Sequence, residues 1–405
     1  MKKIFTLVLG VVTSIGGFVE AGSISTAAQA GAEFGFALLW AVAVATLILA
    51  SLAEMAGRVA AVGQRTIAAA VRERFGIHFQ IVPLVAELAI DLLLLMAELG
   101  GVAIAVMLLT GVGFAWWVLP VGIVVWLVLW FGNFDVIENG VGLLGIITLS
   151  FVYSAWQLAP DSHHILSGLV PALPGHHLAR YGFLAISIVG ATVSPYLLNF
   201  YSSGAIEEKW SESDRWINRV TSFVGMGFGG FVSMGVLISS AMVFGPQHIQ
   251  VNSFVQAAQM FAPVFGPWAI TVFALALGVG CFGAAVEITV NAGYVISQSL
   301  GWTWGVDKKR RDVSRFVVAY TVVLLLAIAI ASMGFDPLQM TLISVALTVV
   351  LAPVVVLPFL VLMNEERYVK EHTSGPFGNG LLAVLTIVCS LMAIVVIPLQ
   401  ILGGG

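Results

Sequence analysis

Charge is scarce in this sequence. Of its 405 residues, 9% are Asp, Glu, Lys or Arg, against roughly a quarter in soluble domains. A water-facing surface needs such side chains, so the soluble classes are excluded, and no nucleic-acid partner is expected. Cysteine is scarcer still. Cys281 and Cys389 both sit in apolar runs, which excludes a disulfide framework and a thiolate metal cluster. No loop is long enough to fold as a second domain, and no grouping of nucleophile, base and oxyanion donors suggests an enzyme. The formal net charge of -4 adds little.

Apolar residues are abundant instead. They make up 60% of the chain, and the mean hydropathy is +1.03. Eleven apolar runs emerge, at about 5–28, 34–56, 80–110, 115–132, 139–159, 182–206, 217–244, 264–299, 314–333, 338–363 and 381–402. A helix rises roughly 1.5 Å per residue, so each run can cross a hydrocarbon core about 30 Å thick, with 115–132 the marginal case. The expectation is an all-α integral membrane protein of 11 transmembrane helices, forming one transmembrane domain over 1–405. With the N-terminus in the cytoplasm and strict alternation, every Lys and Arg except Arg180 falls on the inner side. Such an excess fixes orientation and supports the count, because one miscounted helix would flip every later loop. It puts the C-terminus outside a multi-pass protein of the plasma membrane.

Some segments invite other readings. Lys2-Lys3, an apolar stretch and Thr26-Ala27-Ala28-Gln29-Ala30 resemble a secretory signal with a small-residue cleavage site. The amphipathic, basic segment 57–79 is expected as an interfacial helix. His163, His164, His176 and His177 form two pairs in the 160–181 loop; solvated residues are the plainer reading, a surface metal site the sharper one. Lys308-Lys309-Arg310-Arg311 reads as a topology determinant facing anionic lipid. Glu54 and Arg58, one turn apart, read as a local salt bridge.

Two apolar runs are interrupted at their middles. One carries Gly16-Gly17-Phe18-Val19-Glu20-Ala21-Gly22-Ser23, the other Gly190-Ala191-Thr192-Val193-Ser194-Pro195-Tyr196. A carboxylate at bilayer depth costs roughly 2.5–3.5 kcal/mol on insertion scales and marks a functional site by default. Glycine weakens a helix by about 1 kcal/mol relative to alanine. Pro195 removes the amide that would bond the carbonyl of Ala191. Paired broken helices point to an ion or substrate site near the midplane. Glu20 beside freed carbonyls makes a hard-oxygen cation site. Run 80–110 also carries Glu87, Asp91 and Glu98, within about 40° of one another on a helical wheel. That stripe serves either a proton or cation path or a buried polar network with Glu287 and Asn291 of the run at 264–299.

At these residues the chain resembles the Nramp (natural resistance-associated macrophage protein) family of proton-coupled divalent-metal importers. The family's Asp-Pro-Gly-Asn stands here as Glu20-Ala21-Gly22-Ser23, and its Ala-Thr-Val-Met-Pro-His as Ala191-Thr192-Val193-Ser194-Pro195-Tyr196. The stretch Ala27 to Trp40, the loop Arg72-Glu73-Arg74-Phe75 and the pair Ala97-Glu98 also match. The resemblance implies a LeuT-like 5+5 inverted repeat, about 5–159 and 182–363, with helices 1 and 6 broken and an extra helix at 381–402. It implies a metal site of Glu20, Ser23, Ser194 and the carbonyls of Gly17 and Ala191. Thr192, Tyr196, Glu98, Glu87, Asp91, Glu287 and Asn291 would lie along the path or behind the ligands.

The departures bear on the cargo. Serine replaces the thioether ligand at 194, which removes selection for soft metals. Ser23 and Ser194 are small, leaving room for a partly hydrated ion such as Mg2+. Tyr196 replaces a histidine, and Leu95 an acid expected one turn before Glu98, which weakens the proton route. These features are similar to those of the Nramp-related magnesium transporters. They imply a monomer in the lipid bilayer, with no resident cofactor, that imports Mg2+ and tolerates Mn2+, weakly proton-coupled or uncoupled. A proton-coupled importer of Mn2+ or Fe2+, a transporter of an organic cation or amino acid, and a non-transporting metal sensor remain alternatives.

Overall fold

Backbone amides in hydrocarbon must be satisfied inside the chain, which favours helices. The computed structural model describes residues 20–134, 140, 145–174, 177–247 and 249–401, and all regular structure among them is helical. The main helices are α1 (Ala21–Phe34), α2 (Leu39–Gly63), α3 (Ile67–Phe75), α4 (Ile77–Thr110), α5 (Ala115–Phe131), α6 (Leu149–Gln157), α7 (Leu178–Thr192), α8 (Pro195–Glu207), α9 (Met226–Phe244), α10 (Ala269–Leu300), α11 (Ser314–Ala331), α12 (Pro337–Leu362) and α13 (Pro376–Ile401). Seven stretches among the described residues are long and apolar enough to cross a membrane. The helix α5, at 17 residues, is shorter. The expected runs 5–28 and 139–159 lie partly outside the described residues.

Several boundaries differ from the sequence reading. The second apolar run does not begin at 34: Gly35 adopts φ 59° and ends α1, and α2 starts at Leu39. The expected interfacial helix 57–79 is divided among three elements. Its first seven residues extend α2 to Gly63, where left-handed Gln64 stops the helix. Thr66 then caps the short α3, whose Ile67, Ala68, Ala70 and Val71 are buried against protein. Residues from Ile77 onward open α4.

The long helices α4 and α10 pack along each other, α12 lies against α4, α9 covers α1, and α8 meets α2. Small residues allow these approaches. A Cβ at Gly31 would lie 2.2 Å from the carbonyl oxygen of Leu237, so α1 and α9 approach backbone to backbone there. The stretch Thr26–Ala30, which resembles a cleavage site, sits inside α1 with Ala28 and Ala30 buried in this contact region. Outward faces are apolar: α5 exposes Trp116, Leu119, Ile123, Val124 and Phe131, as a lipid-facing helix does.

Polar groups gather at the helix ends. Arg180 pairs with Glu33 at 2.5 Å and also reaches Gln29. At the opposite end, Glu54 pairs with Arg58 as expected and also draws Arg219 to 3.9 Å. Arg310 is no simple lipid contact. Its guanidinium donates to the carbonyls of Leu129, Trp130 and Gly132, closing the C-terminal end of α5. His164 stacks on Phe36, with ring centroids 6.2 Å apart. Among the described residues, the group with metal-ligand spacing is Glu212, Glu371 and His372 rather than the histidine pairs; His176 lies outside those residues.

Candidate metal-binding site

Glu20 is extended (φ -104°, ψ 173°) and immediately precedes α1. The helix α1 starts at Ala21, so Gly22 and Ser23 are helical, not unwound as the sequence suggests. The cause is a cap from another helix. Glu98 of α4 accepts from the amide of Ala21 with both carboxylate oxygens, at 3.1 and 3.2 Å. This satisfies the first of the amides that a helix leaves without partners. Ser25 and Thr26 add hydroxyl bonds to the carbonyl of Gly22, at 3.1 and 2.8 Å. Gly17 lies outside the described residues.

The second break falls where expected. The helix α7 ends at Thr192, Val193 takes φ -99° and ψ 61°, and Ser194 precedes α8 with Pro195 as its first residue. Proline suits that position because its missing amide would be unpaired there anyway. The same absence leaves the carbonyl of Ala191 without its helical donor. A serine before a helix usually caps it, yet the Ser194 side chain does not cap α8. Its hydroxyl is wholly buried and makes no hydrogen bond.

The two breaks meet. The Tyr196 hydroxyl donates to Glu20 Oε2 at 2.9 Å. The other oxygen, Oε1, is buried without a partner. A Cβ built on Gly22 would stand 3.1 Å from this oxygen and 3.4 Å from Cβ of Ala191, so only glycine leaves the oxygen its present position. Glu20, Ser23, Ala191, Thr192, Ser194 and Tyr196 are all buried. Glu20 Oε1 and Ser194 Oγ are thus two buried oxygens with unused lone pairs, on facing helix breaks. Burying such atoms unpaired costs about 1–3 kcal/mol each, a cost that a bound cation would offset.

The stripe of acids on α4 divides. Glu98 stays with the first break, near the Cys281 thiol. Glu87 and Asp91 turn to a separate cluster toward the other end of α4. There Asn291 Nδ2 donates to Glu87 Oε1 and Asp91 Oδ2, each at 3.0 Å. Asn199 Nδ2 donates to both oxygens of Glu87, at 2.9 and 2.8 Å. The polar network that sequence allows as one of two readings is therefore present. Its α10 partner is Asn291; Glu287 instead lies within electrostatic reach of Glu20 and Tyr196.

Sequence reasoning missed Asn199 and Cys281. An asparagine in an apolar helix is itself a signal of a buried polar partner, and Asn199 was legible on that ground. Nothing in the spacing of Cys281 reveals its contact with Glu98.

The family model described as "Natural resistance-associated macrophage protein-like" matches residues 10–398. A divalent metal cation transporter MntH of Deinococcus radiodurans is 25% identical over 364 residues, covering 85% of this chain and 78% of that protein. In fold, the chain is similar to a manganese transporter of Eremococcus coleocola, with a TM-score of 0.80 at 19% identity, covering 96% of this chain and 85% of that one. A second solved structure, Mhp1, a nucleobase-cation-symport-1 family transporter, aligns with a TM-score of 0.62 at 13% identity over 96% of this chain and 91% of the other.

Proposed function

This chain belongs to the Nramp family of membrane metal transporters, and from that premise we propose that it imports a divalent cation into the cytoplasm, with Mg2+ preferred and Mn2+ tolerated. That it is a multi-pass transporter of divalent metal, and no enzyme, follows from the family. The choice of metal, the weak or absent proton coupling, the plasma-membrane location, the inner N-terminus and the monomeric state are parts of the proposal.

One observation carries it: the unpaired pair of buried oxygens, Glu20 Oε1 and Ser194 Oγ, on the two helix breaks. Glu20 supplies the charge. Ser194 and Ser23 supply hydroxyl oxygen directly or through water, and Ala191 and Gly17 supply carbonyls. An all-oxygen set suits Mg2+ and Mn2+ and gives no advantage to soft metals. Access alternates as the broken helices rock against the α4–α10 scaffold.

Flux into proteoliposomes tests the reading. Purified protein is expected to carry Mg2+ and Mn2+, and Glu20→Ala to abolish both. Flux that survives Glu20→Ala removes the site; absence of flux for either metal removes the function.

A second reading, proton-coupled import of Mn2+ or Fe2+, draws support from Glu98, a retained acid in contact with the first break, and from relatives named as manganese or divalent metal transporters. Acidification of the vesicle lumen in step with Mn2+ uptake would select it over uncoupled Mg2+ transport.

A further inference from the structure

The cluster of Glu87, Asp91, Asn199 and Asn291 has a composition that hydrogen bonding alone does not explain. All four side chains are at least 97% buried, and Asp91 and Asn291 are wholly so. Two carboxylates are brought to one amide nitrogen, so their oxygens lie within twice 3.0 Å of each other. The helices that supply the cluster, α4, α8 and α10, contain no lysine or arginine. No basic side chain pairs with either acid among the described residues. Buried charges are ordinarily paired or bound to a metal.

Three further oxygens in the same cluster are buried and unpartnered: Asp91 Oδ1, Asn199 Oδ1 and Asn291 Oδ1. The amide nitrogens of both asparagines face the carboxylates, which puts positive partial charge between them. An amide carries donor and acceptor at nearly equivalent positions, so half a turn about its last bond exchanges them. Turned so, Asn199 and Asn291 present two carbonyl oxygens beside two carboxylates. Four hard oxygens carrying two negative charges match a divalent cation that keeps some of its water.

We propose that this cluster is a second divalent-cation site, occupied by the cargo between the Glu20 site and the cytoplasm. Asp91 lies seven residues from Glu98 toward the inner end of α4, about 10 Å along the helix. Asn199 lies on α8 just past the break at Ser194, on the same inner side. The inference rests on the reading of the Glu20 site as a divalent-cation site, but each can fail alone.

The test is the number of Mn2+ ions bound per full-length chain in lipid nanodiscs, read by equilibrium dialysis and electron paramagnetic resonance. Two ions are expected for the unaltered protein, close enough to broaden each other's spectrum. Asp91→Asn and Glu87→Gln, near-isosteric changes, are each expected to leave one ion and to remove the broadening. Glu20→Ala is expected to leave the other. A single ion in the unaltered protein, or two ions in the Asp91→Asn protein, overturns the second site. If Glu20→Ala keeps both ions while Asp91→Asn loses one, the Glu20 site fails and the inner one stands. The unaltered protein's count and spectrum need no variant to fold.

Discussion

Glu20 keeps one free carboxylate oxygen, because Tyr196 holds the other at 2.9 Å. That hydrogen bond fixes the carboxylate's direction and aims Oε1 at the break beside Ala191. If Glu20 is the charged ligand, as proposed, the tyrosine sets that ligand's geometry. Sequence showed the residue types here but not this contact, which depends on how the two breaks face each other. The metal preference proposed above rests on atoms present or missing, which the sequence shows directly. Ser194 brings a small hydroxyl where the resembling family has a thioether. Ser194→Met should restore a soft ligand and shift selectivity, because thioethers favour soft metals over Mg2+. In a competition assay the variant is expected to take up Cd2+ in preference to Mg2+ by about tenfold over the unaltered protein, a change near 1.4 kcal/mol. Equal preference in both proteins would mean that Ser194 does not touch the ion.

At the scale of helices, a break is built by what stops one segment and what starts the next. For α7 and α8 both were legible, because Pro195 cannot supply the amide that the helix needs. For α1 only half was. Glycine content suggested unwinding through Ser23, but Glu98 caps Ala21 from another helix and α1 starts three residues earlier. A tertiary cap leaves no local trace in sequence, so the extent of the break could not be read. The acidic stripe divides for a related reason. Helical periodicity placed Glu87, Asp91 and Glu98 on one face, but it does not say which neighbours each meets along 34 residues of α4. The cap makes a definite expectation. Glu98→Ala leaves the Ala21 amide buried without an acceptor, at a cost of about 0.5–2 kcal/mol, and lets Glu20 shift. The temperature of half-inactivation in detergent should fall by several degrees, with Mn2+ flux reduced. Glu98→Gln keeps an oxygen acceptor and should stay within a degree or two of the unaltered protein. Equal loss in both variants would assign the effect to charge rather than to the cap.

Across the whole molecule, basic residues define the two ends. Arg180 pairs with Glu33 at one end. At the other, Arg58 pairs with Glu54 and also donates to the carbonyl of His372. Arg367 pairs with Glu73, and Arg74 with Glu365 at 2.5 Å. Lys370 and His372 both reach Glu212, at 2.7 and 3.2 Å. These contacts tie α2 and α3 to the segment before α13, and that segment to the one after α8, so residues spread over 300 positions share one face. The alternation of runs predicted that grouping, and the ion pairs give it physical form: a basic face whose charge is partly neutralised by its own acids. Exposed pairs of this kind contribute roughly 0.2–1 kcal/mol each, too little to decide the fold, but their side of the membrane is testable. If the basic face is cytoplasmic, Ser213, exposed beside Glu212, must be inside, and Ala172, exposed in the 160–181 loop, outside. Single changes Ser213→Cys and Ala172→Cys, made in a Cys389→Ser background with Cys281 left in place because it is buried, report this with a membrane-impermeant maleimide. Intact cells are expected to label the protein changed at 172 and to spare the one changed at 213 until the membrane is permeabilised. The opposite pattern would invert the transporter, placing the Glu87–Asp91 cluster on the outer side of Glu20 and making the proposed second site an entry-side rather than a release-side one.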